Sequence, residues 1–155
     1  MIRSLGIMLL ISALTLIAAP AFAVPNLEMH LVADCGRGMK IFAQDVTGTD
    51  GQIRTEHFCV ADEVLLDRSN IVGMTKVSSA RGLRVHMEFN ADGKEKLAQA
   101  TRQNAGHFMA IFLDGKLIAK PIIETPILDG KLDLFVSSAD KERFLAAFEN
   151  SPTHL

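Results

Sequence analysis

The chain reads as an α+β domain, a mostly antiparallel sheet with two helices on one face, and three observations lead there. Apolar runs are joined by short turns, of which Asp114-Gly115 and Asp129-Gly130 lie between strand-like segments and suit the positive φ of two-residue hairpins. Leu83, Val85, Met87 and Phe89 alternate with Arg84, His86 and Glu88, the period of a strand with one face inside. Two further stretches carry apolar residues at three-to-four spacing behind side chains that cap helices. Hairpin links call for antiparallel pairing, and the order strands, helix, strands, helix lays the helices over one sheet face.

Residues 1 to 23 precede this domain. A basic start at Arg3, an apolar run from Ile7 to Ala18 and the small-residue pattern Ala21-Phe22-Ala23 ahead of Val24 make a secretory signal peptide with cleavage near Ala23. The run is too short for a membrane span, Pro20 interrupts its end, and no Cys follows to accept lipid. Residues 24 to 155 then form one domain without a transmembrane segment, in the periplasm or outside the cell. The formal charge of −2 gives no reason to expect nucleic acid as a partner. With no Trp and no Tyr, nine Phe and seven Met must supply the large core surfaces. Cys35 and Cys59 meet oxidising conditions that favour a disulfide, the alternative being two buried free thiols; their spacing is not that of a redox-active C-x-x-C pair.

Along the domain, Leu27 to Val32 alternates, with Leu27, Met29 and Leu31 on one side and Glu28 and His30 on the other. Lys40 to Gln44 and Arg54 to Val60 read as strands around the turn Thr47-Gly48-Thr49-Asp50-Gly51. Asp67 to Asn70 suits a helical turn or tight loop, and Ile71 to Val77 and Leu83 to Phe89 pair across Ser78 to Gly82. Asn90 caps a helix from Ala91 to Asn104 with Leu97, Ala100, Thr101 and Asn104 as its buried stripe. From His107 to Val136 the two Asp-Gly turns predict a β-ribbon. Pro121 and Pro126 cannot donate to a ladder, so its middle arm must be an edge, a bulge or an irregular extension. Ser138 caps a last helix, Ala139 to Phe148, with Phe144, Leu145 and Phe148 as its apolar face. The whole suits a ferredoxin-like variant with an added N-terminal hairpin.

Phe89 to Phe135 resembles the head of the first periplasmic domain of SecD, the accessory subunit of the bacterial Sec export machinery. The residues that carry the likeness are F-N-A-D-G-K-E-K-L from Phe89, the helix exit Asn104-Ala105-Gly106, the strand and turn Ala110 to Gly115, and the spaced Pro121, Ile123, Ile127 and Gly130. Val64 to Phe89 matches more loosely. The resemblance implies an α+β module that contacts translocating or newly exported polypeptide. Family members use membrane helices to harness the proton gradient; this chain, with its cleavable signal, is expected to lack that translocase activity. It also places Ala119-Lys120-Pro121 where the family has small residues before the Pro.

Chemistry-bearing patterns are sparse. Glu28-x-His30 and His86-x-Glu88 each set a His and a carboxylate on the outward side of a strand, and would gather as metal ligands only if those strands were neighbours. The plainer reading is a solvated sheet face, and the alternative built on the metal site is a metal-binding or hydrolytic enzyme. Asp45, Thr47, Thr49 and Glu56 imitate a calcium loop poorly, because Asp50 stands where Gly is required. Gly36-Arg37-Gly38 is a lone G-x-G with no following helix, too little for a phosphate site. No catalytic motif appears, so no catalytic residue and no cofactor is assigned. The expected function is non-enzymatic binding of a protein or peptide in the cell envelope through the edge from Ile118 to Ile127, with Ile118, Pro121, Ile122, Ile123 and Ile127 as contacts, the alternative being that these residues are simply core.

Overall fold

The computed structural model describes residues 25–149 apart from Gly38 and Gly48, and the signal-peptide segment lies outside the described residues. Among them, nine strands and two helices succeed one another as β1 (Leu27–Ala33), β2 (Met39–Thr47), β3 (Ile53–Ala61), β4 (Leu66–Asp67), a 3-10 turn (Arg68–Asn70), β5 (Ile71–Ser79), β6 (Gly82–Phe89), α1 (Ala91–Gln103), β7 (Met109–Leu113), β8 (Lys116–Ala119), β9 (Lys131–Ser137) and α2 (Ser138–Glu149). The class is α+β with antiparallel pairing throughout. The strands divide between two sheets, however, and do not share one. The larger runs β2-β3-β1-β7-β8, with β4 also paired to β1; the smaller runs β5-β6-β9.

Both sheets turn one face to a common core. From the large sheet come Leu27, Met29, Met109, Ile111 and Leu113, and from the small one Leu83, Val85, Met87, Leu132, Leu134 and Val136. The alternation read in β6 and present in β9 puts every second side chain there, so that both strands bury one face and wet the other. Leu97 of α1 and Phe144 of α2 join the same cluster. In β7 all five residues are buried, because Ala110 and Phe112 enter a second, smaller cluster with Phe58 and Val60 on the opposite face of the large sheet.

Local chemistry sets the element ends. Asp67 caps the 3-10 turn in a reciprocal box: its side chain accepts from the turn, while Asn70 Oδ1 accepts from the Asp67 N–H at 3.1 Å. Asn90 Oδ1 accepts from the Gly93 N–H at 2.8 Å and starts α1, as its sequence position suggests. Asn104 leaves the buried stripe and serves instead as the C-cap, its amide donating to the Ala100 carbonyl at 2.8 Å. The last helix begins one residue early, at Ser138, with Ser137 Oγ donating to Asp140. Among the described residues no helix is long and apolar enough to cross a membrane.

The ribbon expected from His107 to Val136 forms only in its first half. Asp114 and Gly115 have φ of 49° and 76° and turn β7 back into β8 as a two-residue hairpin. Asp129-Gly130 makes no second hairpin. It is a bend through which the chain, already clear of the large sheet after Ile123, enters β9, which pairs with β6. Pro121 and Pro126 explain the difference, since a segment lacking two N–H donors cannot hold a ladder long enough for the second turn to close it.

Cys35 and Cys59 form a disulfide, with Cα atoms 5.1 Å apart. It ties the end of β1 to β3 where Ala33 opposes Cys59. Closing a loop of 24 residues restricts the unfolded chain, so the Cys35→Ala/Cys59→Ala double variant is expected to lose about 3 kcal/mol in urea denaturation. A second expectation concerns the start of α1, where Asp92 accepts from Asn70 at 3.0 Å and pairs with Lys96 at 2.8 Å. The hydrogen bond from Lys96 leads in holding the Asp92 carboxyl below its ordinary 3.8. A carboxyl with a lowered folded pKa stabilises above its unfolded value and stops doing so as the pH falls through the folded one. Asp92→Asn should therefore lower stability at pH 7, and the gap from wild type should close as denaturation curves are taken below that value.

Candidate functional site

The large sheet ends at β2 and at β8, and β9 of the small sheet lies close to β8 without pairing with it. Among the described residues no strand pairs with the outer edge of β8. The ladder to β7 passes a register shift between Ile111 and Phe112 and ends with Ala119 opposite Ile111, after which the backbone resumes contact through an isolated bridge between Phe108 and Ile122. Met109 N–H donates to the Pro121 carbonyl at 2.9 Å, and Ile123 N–H donates to the His107 carbonyl at 2.8 Å. Because backbone groups alternate in direction along an extended chain, the N–H and C=O of Ile122 point to the other side, the open rim.

The five residues expected at this edge do not share one environment. Ile118 and Ile123 are 6% and 4% exposed and belong to the main core. Pro121 and Ile127 are half-buried. Ile122 alone is well exposed, at 48%, and its cross-strand partner Phe108 is 41% exposed. Of the five, Ile118 and Ile123 thus take the core alternative, and Ile122 presents open apolar surface beside Phe108. Phe108 was hidden in the sequence because His107 to Leu113 is apolar at nearly every position and has no alternation to tell its faces apart.

Lys120 stands between this pair and the second apolar cluster. Its ammonium lies 4.7 Å from the centre of the Phe58 ring and 5.4 Å from that of Phe108, and 3.9 Å from the Glu56 carboxylate. A cation held over ring faces covers apolar surface while keeping its charge near solvent. Phe42 lies behind, its ring 5.9 Å from Phe58 and 4.5 Å from Phe112. An apolar strip with one cation on it therefore borders the open edge.

The histidines are not brought together. His30 lies on β1 in the large sheet and His86 on β6 in the small one, so the neighbouring-strand condition for a four-ligand metal site is not met. His30 faces away from the main core, as the alternation requires, but the second cluster covers it to 3% exposure. Its Nδ1 donates to the Ala61 carbonyl at 2.9 Å, its Nε2 is 3.6 Å from Glu28, and its ring meets Phe112 edge-on at 5.7 Å. His86 is half-exposed, with Nδ1 2.9 Å from Asp133 and Nε2 3.8 Å from Glu88, which also pairs with Lys131 at 3.1 Å. Among the described residues no group of three or more His, Cys, Asp or Glu could hold a metal ion. The imitation of a calcium loop is a plain hairpin: β2 and β3 pair in register from Met39 opposite Ala61 to Thr47 opposite Ile53, and Thr55 donates to Asp45 across it at 2.8 Å.

Comparison with known proteins bears on the whole of this arrangement. Residues 40–143 match the SecDF P1 head subdomain family. The chain is 40% identical over 58 residues to the protein translocase subunit SecD of Acidaminococcus fermentans, and 41% identical over 46 residues to that of Dictyoglomus turgidum. These stretches cover 37% and 30% of this chain but only 14% and 12% of those proteins. The fold is similar to that of SecDF, described as a membrane component that enhances protein export, with a TM-score of 0.56, 18% identity, and coverage of 89% of this chain and 74% of that one. A structure of SecDF in a super-membrane-facing form gives a TM-score of 0.54 at 22% identity, covering 76% of this chain and 17% of that one.

Proposed function

The chain belongs to the SecDF P1 head subdomain family, and from that membership we propose that it is a non-enzymatic module of the cell envelope that contacts polypeptide along the outer edge of β8 and Ile122. One observation carries the reading: just beyond β8, where no strand among the described residues pairs with the edge of the large sheet, Ile122 and Phe108 stand exposed side by side. An extended segment laid along such a rim gains main-chain hydrogen bonds from the edge and side-chain contact from the apolar pair. Recognition of this kind is weakly selective for sequence, which suits a surface that meets many exported chains. Lys120 tolerates a polar neighbour where Phe108 and Phe58 would otherwise demand an apolar one.

The disulfide and the relatives' role in export support a periplasmic or extracellular setting for this contact. No step of it needs a proton gradient, and the module acts here by holding a chain. Binding of a fluorescently labelled unfolded polypeptide, followed by anisotropy, tests the reading. Ile122→Asp sets a charge on the rim without disturbing the core and is expected to weaken binding about tenfold or more, the melting temperature staying within a few degrees of wild type. Ile123→Asp is no test, because a carboxylate at a position 4% exposed is expected to unfold the domain. Unchanged binding by a folded Ile122→Asp protein would sink the proposal.

A further inference from the structure

The outer face of the small sheet carries a second surface. Val77 of β5, Arg84 of β6 and Phe135 of β9 stand opposite one another across all three strands. Arg81 in the β5–β6 turn and Ser79 complete the lining of a shallow cleft of about 520 Å³. Val77 is 60% and Phe135 54% exposed, unusual for large apolar side chains on a sheet whose other face is already buried.

Gly82 lies against the Phe135 ring that lines the cleft. Its φ of 152° lies where L side chains rarely go, and a Cβ there would fall 2.9 Å from the Phe135 ring and 2.3 Å from the Val136 carbonyl oxygen. Glycine thus lets the aromatic ring lean against bare backbone beside Arg84. Neither Arg81 nor Arg84 has an ion pair or side-chain hydrogen bond among the described residues, although the charged groups of the next two rows on the same face are paired, His86 with Asp133 and Glu88 with Lys131. Two guanidinium groups therefore flank an apolar slot with no acid to meet them.

We propose that an acidic, extended polypeptide segment adds to the outer edge of β5, its carboxylates turned to the outer face of the sheet and held by Arg81 and Arg84 beside Val77. The occupant is indicated by charge and by the backbone. Guanidinium forks match carboxylates with paired hydrogen bonds. Val77 and Ser79 belong to β5, the end strand of its sheet, whose outer N–H and C=O groups pair with no strand among the described residues. A peptide can use that edge; an anionic lipid headgroup cannot. This site is separate from the β8 edge and takes a ligand class that the first proposal does not specify.

The test uses a short fluorescein-labelled peptide alternating glutamate with valine, and its counterpart alternating glutamine with valine, titrated by anisotropy against the whole domain. Saturable binding of the glutamate peptide is expected, about tenfold or more weaker for the glutamine peptide and for R81Q/R84Q, and weakening as salt rises. Both arginine positions are exposed, so the variant should keep the wild-type circular dichroism spectrum. Amide exchange should slow along β5 when the glutamate peptide is bound. Equal affinity for the two peptides, undiminished binding by R81Q/R84Q, or no saturable binding at all would overturn the proposal. So would adsorption to phosphatidylglycerol vesicles in the absence of peptide binding, which would assign the arginines to a lipid surface.

Discussion

Everything in this domain is arranged around a strand that has no wet side. β7 lies inside the large sheet between β1 and β8, and its five residues are buried on both faces. Met109, Ile111 and Leu113 face the core shared with the small sheet, while Ala110 and Phe112 face the cluster under Lys120. A strand buried on both faces must be covered twice, and the chain supplies the two covers from different places. The small sheet with α1 and α2 covers one side; the base of the β2–β3 hairpin, through Phe58 and Val60, covers the other. The added hairpin is thus the second cover of the central strand as well as an N-terminal extension.

How far the sequence discloses this depends on whether each element solves its problem locally. β6 shows its alternation plainly because one of its faces is wet, and α1 announces its start because Asn90 meets the Gly93 N–H within one turn. The Asp114-Gly115 turn is legible for the same reason: positive φ is a requirement that only a few residue types satisfy. β7 conceals its faces because both are apolar. Asp129-Gly130 misleads because its residues suit a hairpin, whereas the course of the chain beyond Gly130 is decided by distant pairing between β9 and β6. The division into two sheets is likewise a matter of long-range partners, which periodicity does not encode.

The candidate edge divides along the same line. Its position was readable from two prolines, since a missing N–H is a local fact. Which isoleucines reach solvent was not, because Ile118, Ile122 and Ile123 look alike in sequence and differ only in what the fold stacks against them. Glu28-His30 and His86-Glu88 show the converse case. Each pair is local and real, His30 3.6 Å from Glu28 and His86 3.8 Å from Glu88, yet a joint site needed strand adjacency, and the two strands belong to different sheets.

The disulfide acquires a further meaning from the length of the hairpin above it. β3 is paired to β1 at only two positions, Val32 with Val60 and Ala33 with Cys59, while β1 is paired to β7 at five. A load applied at the exposed tip near Gly51 would meet a weak seam first and peel it like a zipper. The Cys35–Cys59 bond stands at that seam and passes the pull covalently into β1, whose five-residue ladder spreads it over the central strand. The hairpin is thereby a handle fastened at its root, able to be tugged without stripping the cover from Phe112.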